Sequence, residues 1–453
     1  MDTPVIEVRI WGERVGAVAN DPGLGCYVFA YDPQWRRRGV DLAPLTMPAN
    51  GNAEGIYSFP SLPNATYKGL PGLMADSLPD DFGNALIDAW MSGKGIEKSS
   101  VTVLDRLAYM GKRGMGALEY KPALETGRKD SEPLQMKAMV DAARMVICGH
   151  FDGHDHSKIA LQNIISTGTS AGGARAKAVV AWNPATGEIR SGQFDADQGF
   201  EHWLIKFDGV GRDAELGTSG DYGRIEYAYY LMSQAAGIEM MPSRLLEENG
   251  RAHFMTKRFD RDDNAKHHVQ TLCGMAHIDY KQRGTNAYEQ FFMAIKKLEL
   301  GDAANNQAFR RMVFNVLSRN CDDHTKNIAF RLKRGGKWEL TPAYDITHAY
   351  NPQGKWTYQH LMSVNGKFNQ ITTDDFTVMA DRFGVMRPAS IVADVRHALA
   401  GWAEFAGKAG LTHDVIDRVS ADFAEPMKIA VSGADMSAAL PGTELNPMSG
   451  QTP

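Results

Sequence analysis

The sequence predicts an α+β fold of two lobes, with a β-rich N-terminal subdomain and a mostly helical C-terminal lobe. Ile6, Val8 and Ile10 alternate with charged residues at the start of the chain, as in a strand with one buried face. Glycine-rich loops and short apolar strands occupy the middle of the chain, and helical periodicity dominates from Tyr288 onward. We therefore expect the strands to come first and most of the helices last.

Length and local composition divide the chain into four predicted segments. With 453 residues it exceeds one ordinary domain, so several units with cores of their own are expected. A polar, charged stretch after residue 122 is typical of a linker, and the last residues show little periodicity. We predict an N-terminal subdomain at 1–125, a lobe with a glycine-rich loop at 134–260, a helical lobe at 261–428 and a flexible tail at 429–453.

The overall composition is that of an ordinary soluble protein. Hydrophobic residues make up 43% and charged residues 23% of the chain. The formal net charge is −5, from 49 basic and 54 acidic side chains, which does not favour direct binding of DNA or RNA. No apolar run approaches the ~20 residues that a membrane helix needs, so we expect no membrane insertion.

The cysteines and the N-terminus favour a cytoplasmic location. Cys26, Cys148, Cys273 and Cys321 lie far apart and form no C-x-x-C pair, so a disulfide scaffold is not expected. The first ten residues include acidic side chains and lack the apolar core of a signal peptide.

A glycine-rich stretch at Ser166–Lys177 is the first candidate for binding a nucleotide. Glycine lets the backbone approach a phosphate closely and point its N–H groups at it. Ser170, Gly172 and Gly173 are the residues expected there, with an apolar strand following at Val179. The stretch has no Walker A spacing, and by itself it would be read as a flexible hairpin.

A lysine at the end of an apolar strand is the second candidate. Lys206 ends Trp203-Leu204-Ile205-Lys206, and kinases place there the lysine that holds the α- and β-phosphates. Glu226 lies early in a predicted helix, where kinases place the carboxylate that pairs with this lysine. Taken singly, each could equally be a solvated surface residue.

The sharpest pattern is an aspartate followed five residues later by an asparagine, at Asp322 and Asn327. In kinase catalytic loops this Asp accepts the proton of the substrate hydroxyl and the Asn binds Mg²⁺. Lys326 could neutralise the transferred phosphoryl group, and Asp345, after a short strand, could hold a second Mg²⁺ contact. His324 has no nucleophilic partner in sequence, so we expect a structural role for it.

The order of these motifs predicts a protein-kinase-like bilobal fold that uses ATP and Mg²⁺. Phosphoryl transfer depends on positioning and charge neutralisation, and these residue types supply both. Two other hypotheses stay open: a small-molecule phosphotransferase on the same kind of fold, and a non-catalytic protein that sequesters a partner. Three histidines at positions 150, 154 and 156 lack a strict metal-ligand spacing and are best read as a polar loop.

Several strings together resemble the HipA family of bacterial toxin kinases over nearly the whole chain. Each is short, but they occur in the family's order, which makes the resemblance specific. The strings are Leu78–Gly83 (L-P-D-D-F-G), Arg106–Gly111 (R-L-A-Y-M-G), Gly114–Leu118 (G-M-G-A-L), Ser170–Lys177, Arg258–Arg261 (R-F-D-R), Asp322–Asn327 and Leu340–Asp345 (L-T-P-A-Y-D). Lys257 is a departure, since an acidic residue would be expected before R-F-D-R in the best-known member of the family.

The resemblance implies a Ser/Thr protein kinase, the toxin of a type II toxin–antitoxin system. It carries over Lys206 as the phosphate-binding lysine, Asp322 as the catalytic aspartate, and Asn327 and Asp345 as metal ligands. It makes Ser170 the candidate for autophosphorylation that turns the kinase off. It also implies a small DNA-binding antitoxin of the HipB type, DNA contact only through that antitoxin, and a translation-related target such as an aminoacyl-tRNA synthetase.

Overall fold

A computed structural model describes residues 3–124, 133–148, 176–210 and 221–430, except for the side chains of 144–148 and 424–430. The glycine-rich loop with Ser170, Gly172 and Gly173, the three clustered histidines and the predicted tail lie outside the described residues. The placement predicted for them, and the four-segment division of the chain, therefore stay predictions.

The chain opens with a five-stranded sheet in the order β4-β3-β2-β1-β5. Ile6, Val8 and Ile10 are fully buried, which confirms the predicted alternation. Trp11 and Gly12 both have positive φ, the two-residue turn that suits the twist of a hairpin. The strands are β1 (Val5–Ile10), β2 (Glu13–Asp21), β3 (Cys26–Tyr31), β4 (Ile56–Tyr57) and β5 (Leu118–Lys121).

Five helices pack around this sheet. At the start of one of them, the Asp80 side chain accepts a hydrogen bond from the Gly83 N–H, and Asp81 lies in its first turn. Arg106 of a later helix donates to Asn84 and Asp88, which joins the two helices. The helices are α1 (Pro33–Arg38), α2 (Asn64–Tyr67), α3 (Gly72–Ala75), α4 (Asp81–Ser92) and α5 (Val103–Met110).

A second five-stranded sheet, in the order β7-β6-β8-β10-β9, follows the helix α6 (Met136–Cys148). A long helix, α7 (Tyr222–Ala235), packs against its strands β9 and β10. The strands are β6 (Lys177–Trp182), β7 (Ile189–Ser191), β8 (Glu201–Lys206), β9 (Ser243–Glu248) and β10 (Arg251–Lys257).

The rest of the chain is mainly helical, as predicted. Its helices are α8 (Leu272–Ala276), α9 (Tyr288–Lys297), α10 (Gly301–Leu317), α11 (Thr373–Phe383), α12 (Pro388–Ala400), α13 (Trp402–Lys408) and α14 (His413–Ala430). Its short strands are β11 (Arg261–Asp262), β12 (Ala265–Lys266), β13 (His268–Thr271), β14 (Asn286–Ala287), β15 (Ala329–Leu332), β16 (Trp338–Leu340) and β17 (Met362–Ser363). Within the described ranges, no helix combines the length and apolar character needed to cross a bilayer.

The R-F-D-R string joins the two sheet-containing regions through its charged side chains. Asp260 is fully buried between the guanidinium groups of Arg258 and Arg261, 2.7 and 2.6 Å away. It also accepts the Gly116 N–H at 2.7 Å, and Arg261 donates to the Gly116 carbonyl. Burial raises the pKa of Asp260, but the two arginines more than offset it, so the carboxylate stays ionised. The buried network therefore fixes the N-terminal subdomain against the second sheet.

Candidate active site

Three of the predicted residues meet at one point, between the second sheet and the helical lobe. Lys206, the last residue of β8, places its Nζ 2.5 Å from Glu226 Oε1 and also forms an ion pair with Asp345 Oδ1. Glu226 comes from α7 and is buried, and Asp345 follows β16 with a left-handed φ of 53°. The strand lysine and the helix carboxylate therefore pair as the sequence predicts.

The charges in this group stabilise one another. Burial would lower the pKa of Lys206, but the carboxylates of Asp345 and Glu226 raise it above its usual value. Burial would raise the pKa of Asp345, but the ammonium groups of Lys206 and Lys177 lower it to about 2. Both groups are therefore ionised at neutral pH.

The segment from Asp322 to Asn327 is held in a defined shape by hydrogen bonds to its backbone. The Asn327 side-chain amide donates to the Asp322 carbonyl at 2.8 Å, and Tyr344 donates to the Lys326 carbonyl at 2.7 Å. Thr325 donates to the Ile278 carbonyl at 2.9 Å. Because the Asn327 N–H₂ group is engaged, its amide oxygen is the atom left for a cation.

Within this segment, the ring of His324 lies near the side chains of Asp322 and Tyr280. Its Nε2 lies 3.6 Å from Asp322 Oδ1, too long for a hydrogen bond, and its ring lies 5.1 Å from the Tyr280 ring. The Asp322 side chain is 48% exposed. His324 thus lies beside the carboxylate of Asp322, the predicted catalytic residue, and packs near the Tyr280 ring. Its structural role stays a prediction.

A single cleft, which we call the nucleotide cleft, is lined by Lys206, Glu226, Asn327 and Asp345. Its other part is apolar, with Phe259 and Tyr344 stacked at 5.6 Å between ring centroids. Lys257, which departs from the family pattern, also lines this cleft and pairs with Glu201 at 2.6 Å. An apolar pocket with cations at one end matches a nucleotide, whose base is flat and whose phosphates are anionic.

The residues of the cleft also fit a magnesium ion. Mg²⁺ binds oxygen ligands and is usually held by one or two carboxylates together with phosphates and water. The Asp345 carboxylate and the Asn327 amide oxygen are donors of that kind. Among the described residues, no group of three or more His, Cys, Asp or Glu side chains could hold a metal alone. The donor set therefore suits an ion that arrives with a nucleotide.

A second buried lysine in the cleft was not singled out from the sequence. Lys177 begins β6 directly after the glycine-rich stretch, and its Nζ lies 3.2 Å from Asp80 Oδ2. Both side chains are almost fully buried, and Lys177 contributes to the low pKa of Asp345. Asp80, from the N-terminal subdomain, thus reaches the edge of the nucleotide cleft.

A buried cluster behind the segment from Asp322 to Asn327 was also missed. Asp323 accepts hydrogen bonds from Tyr288, His360 and the Leu361 N–H, each at 2.8–2.9 Å. Cys321 Sγ lies 3.8 Å from His360 Nε2. Burial lowers the pKa of His360, but Cys321 and Asp323 raise it to about 10, so the imidazole is charged at neutral pH. The ion pair with His360 therefore holds Asp323, the residue next to Asp322, in place.

This charged anchor predicts a pH dependence of stability. Because the folded-state pKa of His360 is raised above 6.5, its contribution is complete below that pH and is lost as pH rises through about 10. In that window stability should fall by roughly 1.4 kcal/mol per pH unit from this group. His360→Asn keeps a donor toward Asp323 without the charge, so urea unfolding of both proteins at several pH values isolates the effect. Parallel pH curves would contradict a charged His360.

The comparisons with known proteins agree with this geometry. Residues 6–121 match the family model of the HipA N-terminal domain, and residues 169–403 match that of the HipA-like C-terminal domain. The chain belongs to the HipA family. It is thus a kinase-like member of a toxin–antitoxin family. No curated protein gives a significant sequence match.

A solved HipA structure confirms the fold. HipA of Shewanella oneidensis MR-1, solved in a complex with HipB and its operator DNA, is similar with a TM-score of 0.62 and 15% identity. The similarity covers 93% of this chain and 96% of that one. The Helicobacter pylori proinflammatory kinase CtkA is similar with a TM-score of 0.34 and 13% identity, over 56% of this chain and 93% of that one.

Proposed function

We propose that this HipA-family chain is an ATP-dependent Ser/Thr protein kinase, and the toxin of a type II toxin–antitoxin system that acts on a translation component. The observation that carries the kinase proposal is the convergence of Lys206, Glu226 and Asp345 in the cleft that Asn327 also lines. Lysine paired with a helix carboxylate, beside an aspartate and an asparagine, is the arrangement that phosphoryl transfer requires.

Each residue has a distinct part in the proposed mechanism. Lys206, oriented by Glu226, binds the α- and β-phosphates of ATP. Asp345 and Asn327 would hold Mg²⁺, which neutralises phosphate charge when bound. An Asp322 carboxylate oxygen accepts the proton of the Ser or Thr hydroxyl as the hydroxyl oxygen bonds to the γ-phosphorus of ATP, and the bond from that phosphorus to ADP, the leaving group, breaks. Lys326 neutralises the phosphoryl group during the transfer.

Two further parts of the proposal concern regulation and partners. Phosphate on Ser170 would lower activity, because a dianion in a loop over the nucleotide repels the nucleotide phosphates. A small DNA-binding antitoxin of the HipB type would be the partner, which the similarity to HipA solved with HipB and operator DNA supports. An aminoacyl-tRNA synthetase is a candidate target, and a cytoplasmic location follows from these roles.

The test replaces the proposed catalytic carboxylate. Asp322→Asn should reduce labelling of protein substrates from ATP and Mg²⁺ by roughly 10²–10⁴-fold, since it removes the proton acceptor. Phosphopeptide mass spectrometry after expression of the wild type and the variant would report the target and the modified loop residue together. Asp381→Asn, which changes an exposed carboxylate on α11 outside the nucleotide cleft, is the matched control.

The outcomes separate the proposed function from its alternatives. Labelling that survives Asp322→Asn would overturn the assignment of that residue and of the mechanism. Transfer to a small alcohol, with no protein labelled, would favour a small-molecule phosphotransferase. Nucleotide binding without turnover in every assay would favour a sequestering protein.

A further inference from the structure

A second cavity, which we call the acceptor cavity, lies on the other side of the segment from Asp322 to Asn327. It has a volume of about 750 Å³, within the range of roughly 300–1,000 Å³ that is typical of ligand sites. Asp322 and His324 lie in its wall, with Lys68 from the N-terminal subdomain and Tyr280 and Lys281 from the helical lobe. Both regions of the protein therefore shape the space that faces the proposed proton acceptor.

The two cavities meet at one described residue. Lys326 lines the nucleotide cleft and the acceptor cavity, whereas Lys206 and Asp345 line only the former and Asp322 only the latter. A transferase with two substrates needs such a division, since donor and acceptor approach the transferred group from opposite sides. The acceptor cavity is thus placed to receive the second substrate.

Four of the charged groups in the wall of the acceptor cavity already form ion pairs within the protein. Asp88 pairs with Arg106 at 2.7 Å and with Lys98 at 2.9 Å. Asp80 faces the cavity but forms its ion pair with Lys177. These groups shape the wall, and their charges are satisfied without a ligand.

Lys68 and Lys281, which lie outside the Asp322–Asn327 segment, differ from this group of ion pairs. Across the described ranges, no carboxylate lies within ion-pair distance of Lys68 or Lys281. Lys281 Nζ donates to the Ala65 carbonyl at 3.1 Å, which brings it onto the segment that carries Lys68. Lys281 also lies over the Tyr280 ring, 5.7 Å from its centroid. One lysine from each region therefore presents a positive charge to the same space.

The electrostatics around Lys68 favour the approach of an anion. Partial burial, Lys281 and Arg106 all lower the pKa of Lys68, so these cations repel one another there. Asp81 is the carboxylate that opposes this effect, and it offsets the repulsion only in part. An anion bound between Lys68 and Lys281 would relieve the repulsion.

We propose that Lys68 and Lys281 select an acceptor segment in which the Ser or Thr is flanked by acidic side chains. The inference rests on the proposed kinase function and names the substrate chemistry of that site. Lysine supplies a compact charge on a long stem, which suits a carboxylate on a flexible chain. Trp356, 36% exposed in the wall of the same cavity, offers an aromatic surface for the segment.

An arrayed set of Ser- and Thr-containing peptides tests the proposal. Each peptide carries Asp, Ala or Lys at one flanking position, and kcat/KM is measured with ATP and Mg²⁺. The wild type should prefer acidic over neutral flanks by roughly tenfold, mainly through KM. The double variant Lys68→Glu/Lys281→Glu should reverse the preference toward basic flanks.

The control has the same change in net charge at a different place. Lys296→Glu/Lys297→Glu alters two exposed lysines of α9 that line neither cavity, and it should keep the wild-type preference. The ATP-induced shift in Tm should be equal in all three proteins, which shows that each is folded and binds nucleotide.

Four results would overturn the proposal, and they can be told apart. A wild type that labels peptides without charge preference, or a double variant that keeps the wild-type preference, overturns acidic selection and leaves the kinase function standing. A small phosphorylated alcohol that is a better acceptor than every peptide overturns the polypeptide assignment. Failure of the wild type to label any peptide or protein overturns the proposed function and this inference with it.

Discussion

Asp345→Asn should abolish Mg²⁺-dependent phosphoryl transfer and leave the fold intact. Asparagine is similar in shape and tolerates the left-handed backbone found at residue 345, so little strain is introduced. The change removes the anionic oxygen that would bind the ion beside Asn327, while Lys206 keeps Glu226 as a partner. Loss of one preorganised charge contact of this kind costs roughly 10²–10³-fold in rate.

Nucleotide binding distinguishes the loss of metal binding from a general defect. In the wild type, Mg²⁺ should increase the shift in Tm that ATP produces, and in Asp345→Asn that increment should disappear while a shift from ATP alone remains. Asp381→Asn serves again as the control and should behave as the wild type. A variant with full activity, or with an unchanged Mg²⁺ increment, would show that Asp345 is not a metal ligand.

The predicted site residues had local signals in the sequence. Lys206 ends an apolar strand, and Asp322 and Asn327 have a fixed spacing in one segment, so each could be found without tertiary information. The structure confirms the strand and the pairing of Lys206 with Glu226. The catalytic and metal-binding roles stay predictions, as does the regulatory role of Ser170.

The residues that were missed owe their positions to tertiary contacts. Lys177 forms an ion pair with Asp80, and Lys68 lies near enough to Lys281 for the two cations to repel each other. In both cases the two residues come from distant regions of the chain. Each looks like an ordinary surface charge in sequence, and only the packing of the N-terminal subdomain against the lobes brings them together. Asp323, next to Asp322, likewise gives no local signal in the sequence, because its partner His360 comes from a distant loop.

Element boundaries shifted for the same reason. The sequence predicts that the helix with Glu226 begins at that residue, but α7 begins at Tyr222. Glycine at position 223 weakens an isolated helix. Here it allows α7 to approach β10 closely, since a Cβ on Gly223 would lie 2.0 Å from the Ala252 carbonyl oxygen. The contact extends the helix and so fixes the position of Glu226 toward Lys206.

Lys206→Met should cost both activity and stability, and the two losses can be separated. Methionine fills a similar volume but removes the ammonium group that lies between Glu226 and Asp345. Breaking a buried ion pair by removing one partner costs about 3–5 kcal/mol, because the remaining charge stays in a poorly solvated place. Activity should fall by roughly 10²–10³-fold with the loss of the phosphate contact.

The double variant Lys206→Met/Glu226→Gln tests this account. It removes the buried negative charge together with its partner, so urea unfolding should show that most of the lost free energy returns. Activity should not return, since the lysine that binds phosphate is still absent. The stability deficit of the single variant should also shrink as pH falls, because protonation of the carboxylates removes the same charge.

Two results would contradict the central role given to Lys206. Equal stability of the single variant and the wild type would mean that Lys206 adds nothing to the balance of buried charge at Glu226. Recovery of activity in the double variant would mean that the single variant lost activity through misfolding alone. The expected pattern, restored stability without restored transfer, requires that Lys206 has two separable functions: it balances the charges of the buried site, and it binds the nucleotide phosphates.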